Sequence, residues 1–472
     1  MKPPLLRAVP RARAIALSAC IAIIVLLLGT RVVGQRPRLD ADEERLRRTI
    51  AGRLTTEALP FLQRTVDVGS GTLDREGVLA TAALYEPRFA RLGFTTSRID
   101  LARVQRGCHL VAERKGTRAD VRVLLLGHLD TVFEKGSGFD RYQVTPAGRI
   151  EGPGVSDMKG GNLVLLEALE ALHSIGDLDR LDVVVVLTGD EEDPGPDPDG
   201  TFTTTRGPVA EIAARSDFAL AFEPMNGASP RPIIARRGYT WWSLEVRAKS
   251  AHSSLAFTRP VGPGAIVPLS RILDRFHREL RTDRLVSLNV GNVAGGTAVE
   301  REKGSEKEAA RATGKLNIVP STAHAYGDLR TPSAVQLEHT REAMKRIVDA
   351  EVGAFNAEYD EDARIVAELV VKDEYPAMTP TAGSQALLGL FAEVSEDLGG
   401  PRLEAADPVT QGAGDVSFVA AKVKGAIDGL GPVGFDYHTP REATDVSSLR
   451  TAIERAAILL HRLSKGRLPR DR

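Results

Sequence analysis

The chain has 472 residues, more than one ordinary hydrophobic core organises, so two compact domains are expected. With 42% apolar and 26% charged residues it has a globular make-up, and a net charge of −1 gives no electrostatic case for nucleic acid or anionic membrane surfaces. It has two cysteines, Cys20 in an apolar N-terminal run and Cys108, which exclude a thiolate zinc site and an internal disulfide, so any metal must be held by histidine and carboxylate.

Residues 1–35 carry five basic and no acidic side chains, and Ala14 to Gly29 is almost wholly apolar. This reads as an export signal or signal anchor. The run is short for a full span. Val32-Val33-Gly34 matches a cleavage site poorly, which favours an uncleaved anchor. Leu17-Ser18-Ala19-Cys20 resembles a lipoprotein box, but the apolar stretch continues past it to Leu28. Either way the body is expected in an exported compartment, membrane-anchored or secreted.

After a charged linker a βα pattern emerges. Val121 to Leu126 is a short apolar run ending at Gly127, as a buried strand does. Asn162 to Ile175 is an amphipathic helix closed by Gly176, and Leu181 to Leu187 is a second buried strand with four consecutive valines. Continuous apolar strands flanking a helix imply a mostly parallel sheet covered on both faces, an α/β fold. After Pro232 the character changes. Tyr239 to Lys249 alternates like a half-exposed strand. A helix over Ala265–Leu280 follows, then strands near Leu285–Val290 and Ala323–Leu329, a helix over Gln336–Val352 and a strand at Arg364–Val371. That order is ferredoxin-like. Glu300 to Gly314 reads as a solvated hairpin tip. The expected layout is a discontinuous catalytic domain (45–234 and 373–466) with an inserted lid or dimerisation domain (235–372).

Functional groups in open α/β sheets gather at the carboxyl ends of strands. The first strand ends in Gly127-His128-Leu129-Asp130, an imidazole with an acid placed to orient it. Asp157 sits among glycines just before a helix, where capping the helix is the competing explanation. The four-valine strand ends in Asp190-Glu191-Glu192-Asp193. Such acids repel one another unless cations neutralise them, and a solvated acidic loop is the alternative. Glu223 closes another short apolar run, and Gly434-Phe435-Asp436-Tyr437-His438 lies near the chain's end.

Taken together in this order, from about residue 50 to 465, these motifs resemble the zinc aminoacylase and carboxypeptidase family, which includes glutamate carboxypeptidase, acetylornithine deacetylase, succinyl-diaminopimelate desuccinylase and aminoacylase. The resemblance implies two Zn2+ per subunit, with Co2+ or Mn2+ equally suited to such ligands. One ion would have His128, Asp157 and Glu223, the other Asp157, Glu192 and His438, each leaving room for a water. Asp130 would support His128, Glu191 would be the general base, and the Asp157–Met158 peptide would be cis. In the inserted domain, His252 would stabilise the oxyanion from a partner subunit, implying a homodimer. Asn317 and Arg330 would hold the substrate, Arg330 gripping a carboxylate through its fork. Gly414 belongs to a glycine-rich turn that approaches the substrate. The implied activity is cleavage of an amide beside a free carboxylate in a small peptide, closest to the glutamate carboxypeptidase branch. An N-acyl-amino-acid deacylase is the alternative, and a non-catalytic anchored binding module the reading from another class. The run from Asp193 to Gly200, where many members have a short Gly-Ser turn, departs from the family. His109, His173, His277 and His324 match no ligand position and read as structural or exposed.

Overall fold

The computed structural model describes residues 39–467 except 147, 196–204, 228, 282, 303–308 and 373–374. The export segment, most of the run after Asp193 and the tip of the Glu300–Gly314 hairpin therefore lie outside the described residues. Among the described residues no helix is long and apolar enough to cross a membrane.

In chain order, leaving short strands unnumbered, the first part contains α1 (Ala41–Arg53), α2 (Arg75–Arg91), β1 (Thr95–Asp100), β2 (Cys108–Arg114), β3 (Val121–His128), α3 (Lys159–Ser174), β4 (Leu181–Thr188) and β5 (Phe218–Ala221). Then come β6 (Gly238–Arg247), α4 (Ile266–Glu279), β7 (Ser287–Leu288), β8 (Asn292–Gly296), β9 (Thr322–Thr331), α5 (Ala334–Glu358) and β10 (Val366–Val371). The last part holds α6 (Ala382–Asp397), β11 (Gly425–Ile427) and α7 (Val446–Ser464).

The central sheet runs β1-β2-β4-β3-β5-β11. The pairs β4–β3, β3–β5 and β5–β11 are parallel, and the two pairs at the β1 edge antiparallel. Alternate residues feed opposite cores. Val123, Leu125, Val183, Val185 and Leu187 pack on one side; Leu124, Leu126, Val184 and Val186 pack on the other. Both faces are covered, which explains why these strands lack polar alternation. Parallel pairing also brings the ends of β3, β4 and β5 to one edge, where the acids and His128 emerge.

The second sheet runs β7-β9-β6-β10, with β8 also paired to β9, the ferredoxin-like arrangement. Trp242, Leu244 and Val246 of β6 face Leu269, Ile272 and Phe276 of α4 and Met344, Ile347 and Val348 of α5. Where one strand was expected near Leu285–Val290, the chain forms β7 and β8 instead, because Asn289 and Gly291 step across β9 through bonds to Asp328 and Tyr326. The helix expected over Gln336–Val352 runs from Ala334, capped by Ser333, to Glu358, because Phe355 seeds a small second cluster with Tyr359, Ala363 and Ile365. Leu244 is fully buried, and Leu244→Ala is expected to cost about 2–5 kcal/mol, read as a lower urea midpoint. A loss below 1 kcal/mol, on the scale of a buried methylene, would show that this layer is not held by its helix-facing side.

Candidate metal centre

His128 ends β3, fully buried. Its Nδ1 donates to the Asp130 carbonyl oxygen (3.0 Å), which leaves Nε2 pointing at Asp157 Oδ1 (3.1 Å) and Glu223 Oε1 (3.8 Å). The Asp130 carboxylate adds a second restraint, 3.4 Å from the same Nδ1. Its other oxygen accepts from Thr72 Oγ1 (2.7 Å) and the Glu192 amide (3.0 Å). One buried acid thus ties the β3 end to the β4 end.

Asp157 does not cap helix α3. Met158 occupies the cap position, the Asp157–Met158 peptide is cis, and the Asp157 carboxylate faces two histidines. A Cβ at Gly161 would run into the Phe222 carbonyl oxygen, so glycine there lets the start of α3 approach the β5 end. On the far side of Asp157, Oδ2 lies 3.2 Å from His438 Nε2, and Glu192 Oε2 lies 3.2 Å from the same nitrogen. His438 adopts a positive φ of 64°, as does Asp436 at 50°. Non-glycine residues take this region at a cost and persist in it where surroundings over-determine them.

Two clusters therefore share one carboxylate: His128, Asp157 and Glu223, and His438, Asp157 and Glu192. Ligand atoms around a tetrahedral ion with bonds near 2.0–2.2 Å lie about 3.3 Å apart, and the separations here run from 3.1 to 3.8 Å. Among the described residues, buried Glu192 Oε1 has no hydrogen-bond partner. The electrostatics point the same way. Burial, then the Asp157 charge, pushes Glu223 well up; the same two causes raise Glu192. Burial would lower His128, but its bonds to Asp130 and Asp157 reverse this and raise it well above the usual range. Bonds to Asp157 and Glu192 raise His438 to about 11. The cluster holds protons where positive charge is wanted, and divalent cations supply that charge while releasing them. The residues fit a metal centre.

Glu191 stands beside the two clusters and belongs to neither. Burial raises its carboxyl well above the ordinary value; the His128 charge opposes this, and the charges of Asp415, Glu192 and Asp157 add to it. Among the described residues its side chain meets no hydrogen-bond donor; its backbone carbonyl accepts from Tyr375 Oη (3.4 Å). The acid run is split. Arg206 takes Asp190, and Arg106 takes Asp193 (3.1 Å). The expected neutralising cations are, for the outer pair, these two arginines.

The inserted-domain residues make their bonds outside the two ligand clusters. His252 is exposed, with Nδ1 2.9 Å from Ser254 Oγ, and the Asn317 carbonyl accepts from the adjacent Ser253 amide (2.9 Å). Arg330 donates to Asp328 (3.2 Å) and lies over the Tyr239 ring; that ring stacks on Tyr375, 5.0 Å between centroids. Gly414 lies against Arg236: a Cβ would sit 3.2 Å from its guanidinium carbon. His109 and His324 are buried within the fold, and His173 and His277 are exposed. The residues not foreseen are Thr72, Arg206, Arg236, Asp428 and Glu442, none marked by a local motif.

The model of peptidase family M20/M25/M40 matches residues 124–462. The chain belongs to this family. It is also similar to carboxypeptidase G2 of Pseudomonas sp. (strain RS-16), 26% identical over 413 residues, covering 86% of this chain and 89% of that protein. Among solved structures, aminopeptidase PepT from Bacillus cereus shares the fold with a TM-score of 0.66 at 19% identity, over 87% of this chain and 98% of that one. The Bacillus subtilis YXEP protein, described as a dinuclear metal binding peptidase, matches with a TM-score of 0.61 at 12% identity, over 88% and 99%. This M20-family chain is a metal-dependent hydrolytic enzyme of the metallopeptidase class.

Proposed function

We propose that this M20-family enzyme is a two-zinc carboxypeptidase that cleaves an amide beside a free carboxylate, of the glutamate carboxypeptidase type. The observation that carries the two-ion reading is Asp157, whose two oxygens lie 3.1 and 3.2 Å from two different histidines, each with a further carboxylate. His128, Asp157 and Glu223 would hold one ion; Asp157, Glu192 and His438 would hold the other. When bound, such ions polarise the scissile carbonyl and make water acidic enough to deprotonate near neutrality. Cobalt or manganese would serve the same ligands.

Glu191 accepts the water's proton as the carbonyl is attacked and delivers it to the leaving amine. Asp130 fixes the tautomer of His128. Arg330 grips the substrate carboxylate, its fork suited to two parallel hydrogen bonds, and Asn317 and the turn at Gly414 complete the substrate contacts. His252 stabilises the oxyanion in the active site of a second copy, which accounts for its exposure here. Residues 1–35 direct the enzyme to an exported, membrane-anchored or secreted state.

Support for the carboxypeptidase reading comes from the likeness to carboxypeptidase G2 and from Arg330. The test is a panel of peptidyl- and folyl-glutamates against N-acetyl amino acids with zinc-loaded protein lacking residues 1–35. Higher kcat/KM on N-acetyl amino acids would replace this reading with the deacylase. No turnover of either class would overturn both substrate readings. Arg330→Ala is expected to raise KM about tenfold with little change in kcat, the size of one lost hydrogen bond to a charged group. His252→Ala is expected to act mainly on kcat, and an unchanged kcat rules out its oxyanion role.

A further inference from the structure

Three acids of the chain's last segment are buried and take no part in the chemistry above. Asp415, Asp428 and Glu442 are 6%, 0% and 0% exposed. Removing a carboxylate from water is costly unless donors satisfy it, and each of these three finds its donors on a different loop of the metal centre.

Glu442 accepts from the amides of Gly154 (3.1 Å), Ser156 (2.8 Å) and Asp157 (2.9 Å), and from Ser156 Oγ (3.1 Å). It lies four residues after His438. One short segment therefore supplies a histidine of one cluster and pins the loop bearing the shared carboxylate. Asp428 Oδ1 accepts from the Glu223 amide (3.3 Å) and its own neighbour Gly429 (2.6 Å), while Oδ2 is gripped by Arg236 at 3.0 and 2.6 Å. Asp415 Oδ2 accepts from Thr188 Oγ1 (2.5 Å) at the end of β4, and Oδ1 from Arg206 Nε (2.5 Å). Arg206 then donates to the Asp190 carbonyl (3.0 Å) and pairs with its carboxylate. The residue before Glu191 is thereby fixed from behind. Glu192 on the same loop has a separate restraint, the bond from its amide to Asp130.

We propose that Asp415, Asp428 and Glu442 are positioning residues that divide the centre between them: Glu442 sets the shared ligand Asp157, Asp428 sets Glu223, and Asp415 sets the base Glu191. The assignment rests on the two-ion reading above. It differs from a general bracing role because each acid holds a different member of the centre, Glu442 through the Asp157 amide, Asp428 through the Glu223 amide and Asp415 through Thr188 and Arg206, so each substitution has its own signature.

The experiment titrates metal-free full-length protein with Zn2+ by calorimetry, alongside steady-state kinetics of the zinc-loaded form. Glu442→Gln replaces one accepting oxygen with a donor facing an amide, and is expected to weaken both ions at least tenfold. Asp428→Asn is expected to weaken one ion by that amount and spare the other. Asp415→Asn is expected to leave both affinities within threefold and lower kcat at least tenfold, with KM within threefold. Where an amide variant does not fold, Ser156→Ala, Arg236→Lys and Arg206→Lys disturb the same three clamps and must reproduce the same pattern at smaller size. A wild type that takes up two ions, with all three variants weakening both alike or none changing either ions or kcat, overturns this assignment alone. A wild type that takes up one ion overturns the two-ion reading, and the assignment with it.

Discussion

Glu191→Gln is expected to lower kcat by about 10²–10⁴-fold, the usual contribution of a positioned acid–base group, while zinc content stays at the wild-type level. The substitution keeps the side chain's shape and removes only its capacity to accept a proton. One feature of the site makes Glu191 rather than Glu192 the group to test. Glu192 points an oxygen at His438 Nε2, at a separation a shared ion would give, whereas Glu191 is in neither cluster. Burial lifts the Glu191 carboxyl well above its ordinary value against the opposing His128 charge, with the charges of Asp415, Glu192 and Asp157 adding to the rise, and Glu192 is raised as well. A base must hold a proton long enough to pass it on, and an ordinary carboxylate is too weak for that near neutral pH. Single-turnover kinetics with metal analysis on the same sample decide the matter. Near-normal kcat removes Glu191 as the base, and loss of zinc instead makes it a ligand.

The residues legible in the sequence share a property: each sits at a strand end or beside glycines, so local pattern marks it. His128, Glu191, Glu192 and Glu223 follow apolar runs, and the structure puts those runs side by side in one sheet. Asp157 was harder, because an acid before a helix reads equally as a cap; only the fold shows its carboxylate turned to two histidines. The acid run Asp190–Asp193 was legible as a charge problem but not in its solution, since Arg106 lies 87 residues from Asp193 and Arg206 lies 16 from Asp190. The clamps were not legible at all. Glu442 lies 285 residues from the amide of Asp157, Asp428 lies 205 from that of Glu223, and Asp415 lies 227 from Thr188. Buried acids whose donors lie that far off in the chain, backbone amides for Glu442 and side chains for Asp415, leave no pattern that spacing within one segment reveals. Register within the inserted sheet was similarly hidden. The strand signal near Leu285–Val290 was genuine, but only pairing with β9 shows it split in two.

The shared position of Asp157 gives the second large effect. Asp157→Ala is expected to abolish detectable turnover and to weaken both ions, each by at least about 100-fold, the upper end of what losing even a ligand's outer hydrogen bond costs. His128→Ala, by comparison, removes a ligand from one cluster only and should leave the His438 ion within tenfold of wild type. The contrast follows from geometry. Asp157 Oδ1 and Oδ2 face different histidines, so no neighbouring carboxylate can replace it for both. Glu223 lies 3.8 Å from His128 Nε2, whereas Glu192 approaches His438 at 3.2 Å. The fold should tolerate the change, because the loop amides remain bonded to Glu442 whatever side chain follows. Circular dichroism and thermal melting of the metal-free protein establish that the variant is folded, and zinc titration then reads the two sites. A folded Asp157→Ala protein that binds one ion with wild-type affinity would mean that Asp157 serves a single site, and the centre would have to be rebuilt around one metal with Glu192 and His438 in another role.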